Sequence, residues 1–387
     1  MSAASTAAAY RADRVHAEDR EGPGYAHEFF RPHSAVWWLY CALVGLGGAA
    51  VTLSMAKSFT AAKESLFAVA PIFVITLFLF AAIVLWADPY RARRPWILVL
   101  ATLFGATVPT WFAANANEHL FEVAAKLLPP GAGADWGAAV AGPTSEEWAK
   151  MLGVVIIMLV ASRTLTRPMH GLLVGAFVGL GFQIFENVTY AATSAPSDAN
   201  DDFTGAFNIT LLRSVIGISS HWLYTAIVGV GVAYLLGRTV TRNSWVVRIG
   251  VFLGLFALGW GIHFLWNAPA QGIWAGLGMP VKIVVALVCF VLVARLAWKQ
   301  EREYLAQADA QLRETPWARE LPAEFEDSAV TSAAGTRKQR RCGLKEARKT
   351  GGRAHRKSVK RARNRYLDAL QAWGRRGTGV DELPLAS

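Results

Sequence analysis

The chain has 387 residues, of which 53% are hydrophobic and only 17% charged. Ordinary soluble domains carry about a quarter charged residues, so a single water-soluble globule is excluded. The formal net charge of +11 belongs mostly to the last fifty residues, which separates a basic tail from an apolar block.

In chain order, residues 1–34 form an N-terminal segment without an apolar core and small-residue cleavage site, so no removable signal peptide is expected. A membrane span needs about 17–25 predominantly apolar residues. Eight stretches qualify: Ala35–Met55, Leu66–Ala87, Trp96–Ala116, Glu146–Ala161, Met169–Ala192, Ser214–Gly237, Val246–Ala268 and Pro280–Trp298. The fourth is short and opens with two carboxylates. Residues Phe207–Arg213 fit either an interfacial helix or the outer end of the sixth span. The expected fold is an all-α polytopic bundle over 35–298, followed by a tail over 299–387. Charge dominates Arg337–Arg365, which is expected to be disordered on its own. The tail reads as a segment attracted to anionic lipid rather than as a nucleic-acid reader.

Lysine and arginine in short loops set orientation. Arg91, Arg93 and Arg94, then Arg163 and Arg167, then Arg238 and Arg242 mark the even-numbered loops, while the alternate loops are poor in them. Both termini are therefore expected in the cytoplasm. Cys41, Cys289 and Cys342 have no metal-ligand spacing and are expected to be free thiols.

Ionisable groups inside a membrane are costly and face a bundle interior or a wet cavity. This chain tolerates Glu146, Glu147 and Lys150 at the start of span four, Glu186 in span five, His221 in span six and His263 in span seven. Asn187, Tyr190, Thr225 and Asn267 stand near them. From the expected span ends, all lie within roughly 10 Å of the outer boundary, so four helices place polar groups at one level. Glu146–Lys150, Glu186–Tyr190, His221–Thr225 and His263–Asn267 are i,i+4 pairs, each a polar stripe on one helix face.

Such a set permits acid–base hydrolysis: a carboxylate takes a proton from water, and histidine or asparagine stabilises the oxyanion. A serine nucleophile is poorly supported, since Ser219 and Ser220 merely adjoin His221 and no G-x-S-x-G occurs. Zinc through His221, His263 and a glutamate is conceivable, although H-E-x-x-H is absent. Blander readings stand beside these. Thr144-Ser145-Glu146-Glu147 fits a capping box with Thr144 as N-cap, Lys150 fits a snorkelling interfacial residue, and a lone intramembrane histidine often bonds a neighbouring helix. Buried Glu and His also build proton relays, so a proton-coupled transporter is the rival activity, and a non-catalytic scaffold the third reading.

Glu146-Glu147-Trp148-Ala149-Lys150 resembles the E-E-x-x-K motif of the PrsW family of intramembrane proteases. Phe185-Glu186-Asn187-Val188-Thr189-Tyr190 resembles its F-E-N-x-x-Y element, and the segments opening at His221 and His263 resemble its two later histidine motifs. The likeness covers about Gly142–Pro269. It implies a peptidase that cleaves membrane-anchored proteins near the outer face, with site-1 cleavage of an anti-sigma factor as the family's best-known task. It also implies kinship with the CAAX-prenyl-endopeptidase and bacteriocin-processing superfamily, and a glutamate-activated water with metal dependence left open. Carried over, Glu146 or Glu147 would be the base and Lys150 would tune it. Glu186 and His221 would orient water or the scissile carbonyl, and His263 with Asn267 would bind the oxyanion.

Overall fold

The computed structural model describes residues 29–129, 131–270, 274–314 and 321–377; most of the N-terminal segment and the last ten residues of the tail lie outside them. Among the described residues the chain is helical, without strands. The helices are α1 Ala35–Ala61, α2 Lys63–Trp86, α3 Pro95–Leu127, α4 Ala132–Val160, α5 Pro168–Ser194, α6 Asp202–Ile216, α7 His221–Leu235, α8 Trp245–Asn267 and α9 Trp274–Arg313. A short α10, Ser328–Thr331, and a long α11, Arg337–Gly377, complete the tail.

Seven segments are long and apolar enough to cross a membrane, with α6 and α7 counted as one. Helix α4 is the eighth of the bundle; its own charges, Glu146, Glu147 and Lys150, keep it out of that count. Leu46, Leu53, Phe67, Phe78, Trp86, Leu253 and Val288 are exposed around the bundle. A belt of this kind in water would be a gross aggregation liability, whereas in lipid it is the required surface. The chain is a multi-pass membrane protein.

Helices α5 and α7 are central and almost wholly buried. Lipid gives helices no hydrophobic reason to associate, so close approach depends on small residues. Gly171, Gly175 and Gly179 recur every fourth residue on α5. A Cβ at any of them would overlap a backbone carbonyl of α7, at Gly229, Thr225 and His221 respectively. Glycine at 179 thus seats His221 directly against α5.

Three expectations change. First, α4 begins at Ala132 rather than at Glu146, so Thr144 is no N-cap; its hydroxyl donates back to the Val140 carbonyl at 2.6 Å, as mid-helix threonines do. The capping reading of Glu147 falls with it. Second, the sixth span is broken. Helix α6 ends at Ile216, a tight turn covers Gly217–Ser219, and His221 opens α7. Gln183 Nε2 donates to the freed Gly217 carbonyl at 3.0 Å. Third, the membrane block and tail are not separated at Trp298. Helix α9 continues to Arg313, because Leu305, Ala308 and Leu312 bury themselves in a small tail core with Phe325, Val359, Tyr366, Leu367 and Leu370.

Residues 337–365, expected to be disordered on their own, are helical here beside that core. Helix α11 is bent at Gly351–Gly352, where Gly352 has φ 71°, into two arms. The arms lie side by side, since Arg363 Nη1 donates to the Arg340 carbonyl at 2.9 Å from the matching position across the bend. A buried knot fastens the tail to the bundle. Arg167 Nε meets Glu301 Oε2 at 2.9 Å, its Nη2 meets Gln371 Oε1 at 2.6 Å, and its guanidinium lies 3.6 Å over the Tyr304 ring. Gln371 Nε2 donates to the Tyr90 carbonyl at 3.1 Å, and Arg91 is paired with Asp368 at 2.6 Å.

Candidate active site

Four helices converge on one polar cluster in an otherwise apolar interior. Glu146 and Glu147 are both buried and mid-helix on α4, facing α7 and α8. Glu147 Oε1 accepts from Lys150 Nζ at 2.7 Å and from His263 Nδ1 at 2.9 Å. Lys150, fully buried, also stands 3.0 Å from His221 Nδ1 and 3.6 Å from Glu146 Oε2. It is therefore no snorkelling residue. His221 Nε2 is 3.0 Å from Glu186 Oε2 on α5. The two imidazoles meet edge to face at 4.9 Å, with Tyr224 stacked on His263 at 5.2 Å.

Both histidines thus have one ring nitrogen on a carboxylate. A carboxylate accepts, so the proton sits on Nε2 of His221 and Nδ1 of His263, and the remaining nitrogens carry lone pairs. Those nitrogens face the same atom: Glu146 Oε2 lies 3.6 Å from His221 Nδ1 and 3.8 Å from His263 Nε2. Glu146 Oε2 is buried and has no hydrogen-bond partner. Its other oxygen is 3.5 Å from Asn117 Nδ2, and Asn117 Oδ1 takes a hydrogen bond from Ser145.

Gly142, one turn before Glu146, is where Asn267 and His263 close on α4, too tightly for a side chain there. A Cβ there would stand 2.9 Å from Asn267 Nδ2, 3.6 Å from Glu146 Oε1 and 3.9 Å from His263 Nε2. Asn267 also donates to the Ala138 carbonyl at 3.1 Å, which holds the amide in place.

The structure brings Glu146, Glu147, Lys150, Glu186, His221 and His263 together, with Asn267 at the rim. Thr225 is buried one turn behind His221 and joins no hydrogen bond of the cluster. Phe185 packs outward against Phe59, 6.0 Å between rings. The residue missed from sequence is Arg213 on α6. Its Nη2 pairs with Glu186 Oε2, its Nε donates to Asn187 Oδ1 at 2.7 Å, and its guanidinium lies 3.9 Å over the Tyr190 ring. Glu186, Asn187 and Tyr190 therefore form one cradle for a single arginine. The available signal was positional: Arg213 is a lone arginine on the side of the bundle whose loops otherwise carry as cations only Lys57, Lys63 and Lys126.

Three carboxylates against one lysine and one arginine leave this buried cluster one negative charge in excess when the histidines are neutral. Glu146, His221 and His263 could each present one ligand atom within 4.8 Å of the others. The orphaned Glu146 oxygen and the two carboxylate-oriented imidazoles are the donor set and second shell of a zinc-type site, so these residues fit a metal ion. Lys150 borders the same atoms, and its head would have to turn toward Glu147.

A buried Glu/His cluster in a lipid-embedded helix bundle suits hydrolysis inside the membrane as well as a proton relay. The family model described as PrsW family intramembrane metalloprotease matches residues 93–294, more than half of the chain. The chain belongs to that family, and it is an intramembrane protease. No curated protein and no solved structure matches it.

Proposed function

We propose that the protein is an endopeptidase that cuts single-span membrane proteins, of which an anti-sigma factor is one candidate class, near the outer membrane face, with Glu146 as general base. The carrying observation is the buried Glu146 Oε2, without a hydrogen-bond partner and 3.6 Å from Lys150 Nζ, faced by two imidazoles whose far nitrogens are held by carboxylates. The arginine-rich loops 2–3, 4–5 and 6–7 support a cytoplasmic position for both termini. The cluster then lies toward the other face, with Glu186 about 12 Å below the end of α5 at Ser194.

Glu146 holds a water and accepts its proton as the oxygen attacks the scissile carbonyl. The scissile carbonyl approaches beside Glu146 and Asn267, whose Nδ2 donates to the developing oxyanion. Collapse of the tetrahedral species breaks the C–N bond, and Glu146 returns the proton to the leaving amine. Glu147 is a positioning group: it neutralises Lys150 and orients His263. Glu186, braced by Arg213, orients His221. A resident metal ion, held by Glu146, His221 and His263, would supply Lewis-acid activation of the water and would take the place of Glu146 as the activating group.

The test is quantitative mass spectrometry of shed ectodomains and new N-termini, in cells lacking the protein and complemented with wild type or Glu146→Gln at equal expression. Fragments that appear only with wild type are expected. Equal fragment patterns, with both proteins inserted and envelope stress applied, would return the cluster to the proton-relay or scaffold reading.

A further inference from the structure

The two arms of α11 have no part in the proteolytic site, and they hold the strongest charge imbalance in the molecule. Residues 337–365 contain fourteen Lys and Arg against Glu346 alone, a net +13, so the remaining chain sums to −2 of the +11 total. Twelve of those cations are exposed. Inside the hairpin the imbalance persists. Arg363 is buried beside Arg340, its Nη2 has no acceptor, and burial together with Arg340 lowers its pKa to about 10. A fold that packs like charges this closely is stabilised by whatever anion binds it.

Two anions compete for such a surface: the phospholipid headgroups of the adjacent leaflet and a polyanion in solution. Geometry separates them. Gln371 of the second arm is bonded to Glu301, near the bilayer end of the tail. Tyr366 meets Phe325 edge to face at 5.3 Å, and the Phe325 carbonyl is held by Arg313 at the far end of α9. The second arm thus runs back along α9, away from the membrane. From Gln371 to the bend at Gly352 is nineteen residues, about 28 Å of helix. Along the arm that is more than three Debye lengths at physiological salt, roughly 8 Å each, so the bend is the part of the hairpin least exposed to the leaflet's surface potential, while Arg340 at its base stacks over Tyr90 at 5.0 Å. Membrane-lying helices also insert an apolar face. Among residues 297–372 whose side chains are described, no large hydrophobic side chain is exposed. The same lack argues against an ordinary protein partner, whose interface would have an aromatic or aliphatic centre. What the hairpin offers is a stripe of cations alone, and this suits the phosphate backbone of a nucleic acid, which is bound through charge without base contacts.

We propose that the helical hairpin 337–365 is a sequence-independent nucleic-acid-binding element projecting from the cytoplasmic side of this membrane protease. It rests on the tail being cytoplasmic and is independent of which group in the bundle is the base.

The test uses the full chain in nanodiscs of neutral phosphatidylcholine, with a fluorescein-labelled random-sequence DNA duplex of 20 base pairs read by anisotropy. If six phosphates are engaged, affinity falls about 10³-fold between 50 and 200 mM salt. Arg353→Glu/Arg356→Glu/Lys357→Glu reverses three exposed charges beside the bend. It is expected to weaken binding at least tenfold and to reduce the salt slope by about three. The neutral set Arg353→Gln/Arg356→Gln/Lys357→Gln should fall between, which guards against a folding defect in the reversed one. The proposal is overturned if no duplex binds at 50 mM salt, or if the reversed variant binds like wild type. It is equally overturned if, at 150 mM salt, vesicles containing phosphatidylglycerol take up the protein through these residues while the duplex does not.

Discussion

Arg213→Ala isolates the part of the site that lies furthest from the reacting atoms. The arginine donates to Glu186 and to Asn187 and covers Tyr190, and the side chains of Arg213 and Glu186 are 20% and 19% exposed. Fully buried pairs cost about 3–5 kcal/mol when one partner is removed, and exposed pairs less than about 1. At one-fifth exposure the loss falls between, about 2–3 kcal/mol. Expressed wholly in the transition state through a displaced His221, that is about a 30- to 150-fold fall in cleavage at 1.36 kcal/mol per decade. The assay is the yield of the new N-termini that define the substrate, at equal membrane levels of each variant. Arg213→Ala should cost little when added to Glu186→Gln, because both remove the same support of His221. A wild-type rate for Arg213→Ala would refute the reasoning, as would the same fold-loss in both backgrounds.

Removing Arg167 should free the tail rather than disable the site. Arg167→Met leaves Glu301 buried without its cation, a cost of about 3–5 kcal/mol. Limited proteolysis is therefore expected to cut within 321–377 while the bundle stays intact; an uncut tail would show that the knot does not hold it. If Glu146, His221 and His263 bind zinc, added zinc at 100 times its dissociation constant stabilises the fold by about 2.7 kcal/mol. The thermal midpoint of the detergent-solubilised protein should rise for wild type and not for His221→Ala/His263→Ala. Equal midpoints with and without zinc in wild type would remove the metal from the site.

The polar residues of the core were legible because lipid makes them conspicuous: Glu186 in an apolar span, and His221 and His263 on successive helices, have few structural excuses. Their convergence followed from the i,i+4 stripes. The start of α4 was not legible, because Gly131–Gly142 is rich in glycine and alanine, has no apolar run, and leads into Thr144-Ser145-Glu146-Glu147, which imitates a cap. Tertiary packing against α3 decides it, where Phe121 and Ala125 lie against Gly137 and Gly133. Arg213 was hidden for a related reason. Leu211 and Leu212 beside it look like the edge of a span, and only the cradle of Glu186, Asn187 and Tyr190 on another helix explains the charge. The tail misled through composition. Charge density argued against a core, yet a few apolar positions on α11 suffice when a membrane helix adds Leu305, Ala308 and Leu312.

Helix α5 begins beside Arg167, in the knot that fastens the tail, and carries Glu186 nineteen residues later, about 28 Å along its axis. It behaves as a lever with one end in each compartment of the molecule. A rocking of only two degrees about the Arg167 end sweeps Glu186 through about 1 Å, the scale of misplacement that costs an enzyme about a hundredfold in rate. Glycines 171, 175 and 179 press that lever flat against α7. The absence of three methyl groups therefore sets how quietly the catalytic end is held while the other end is loaded.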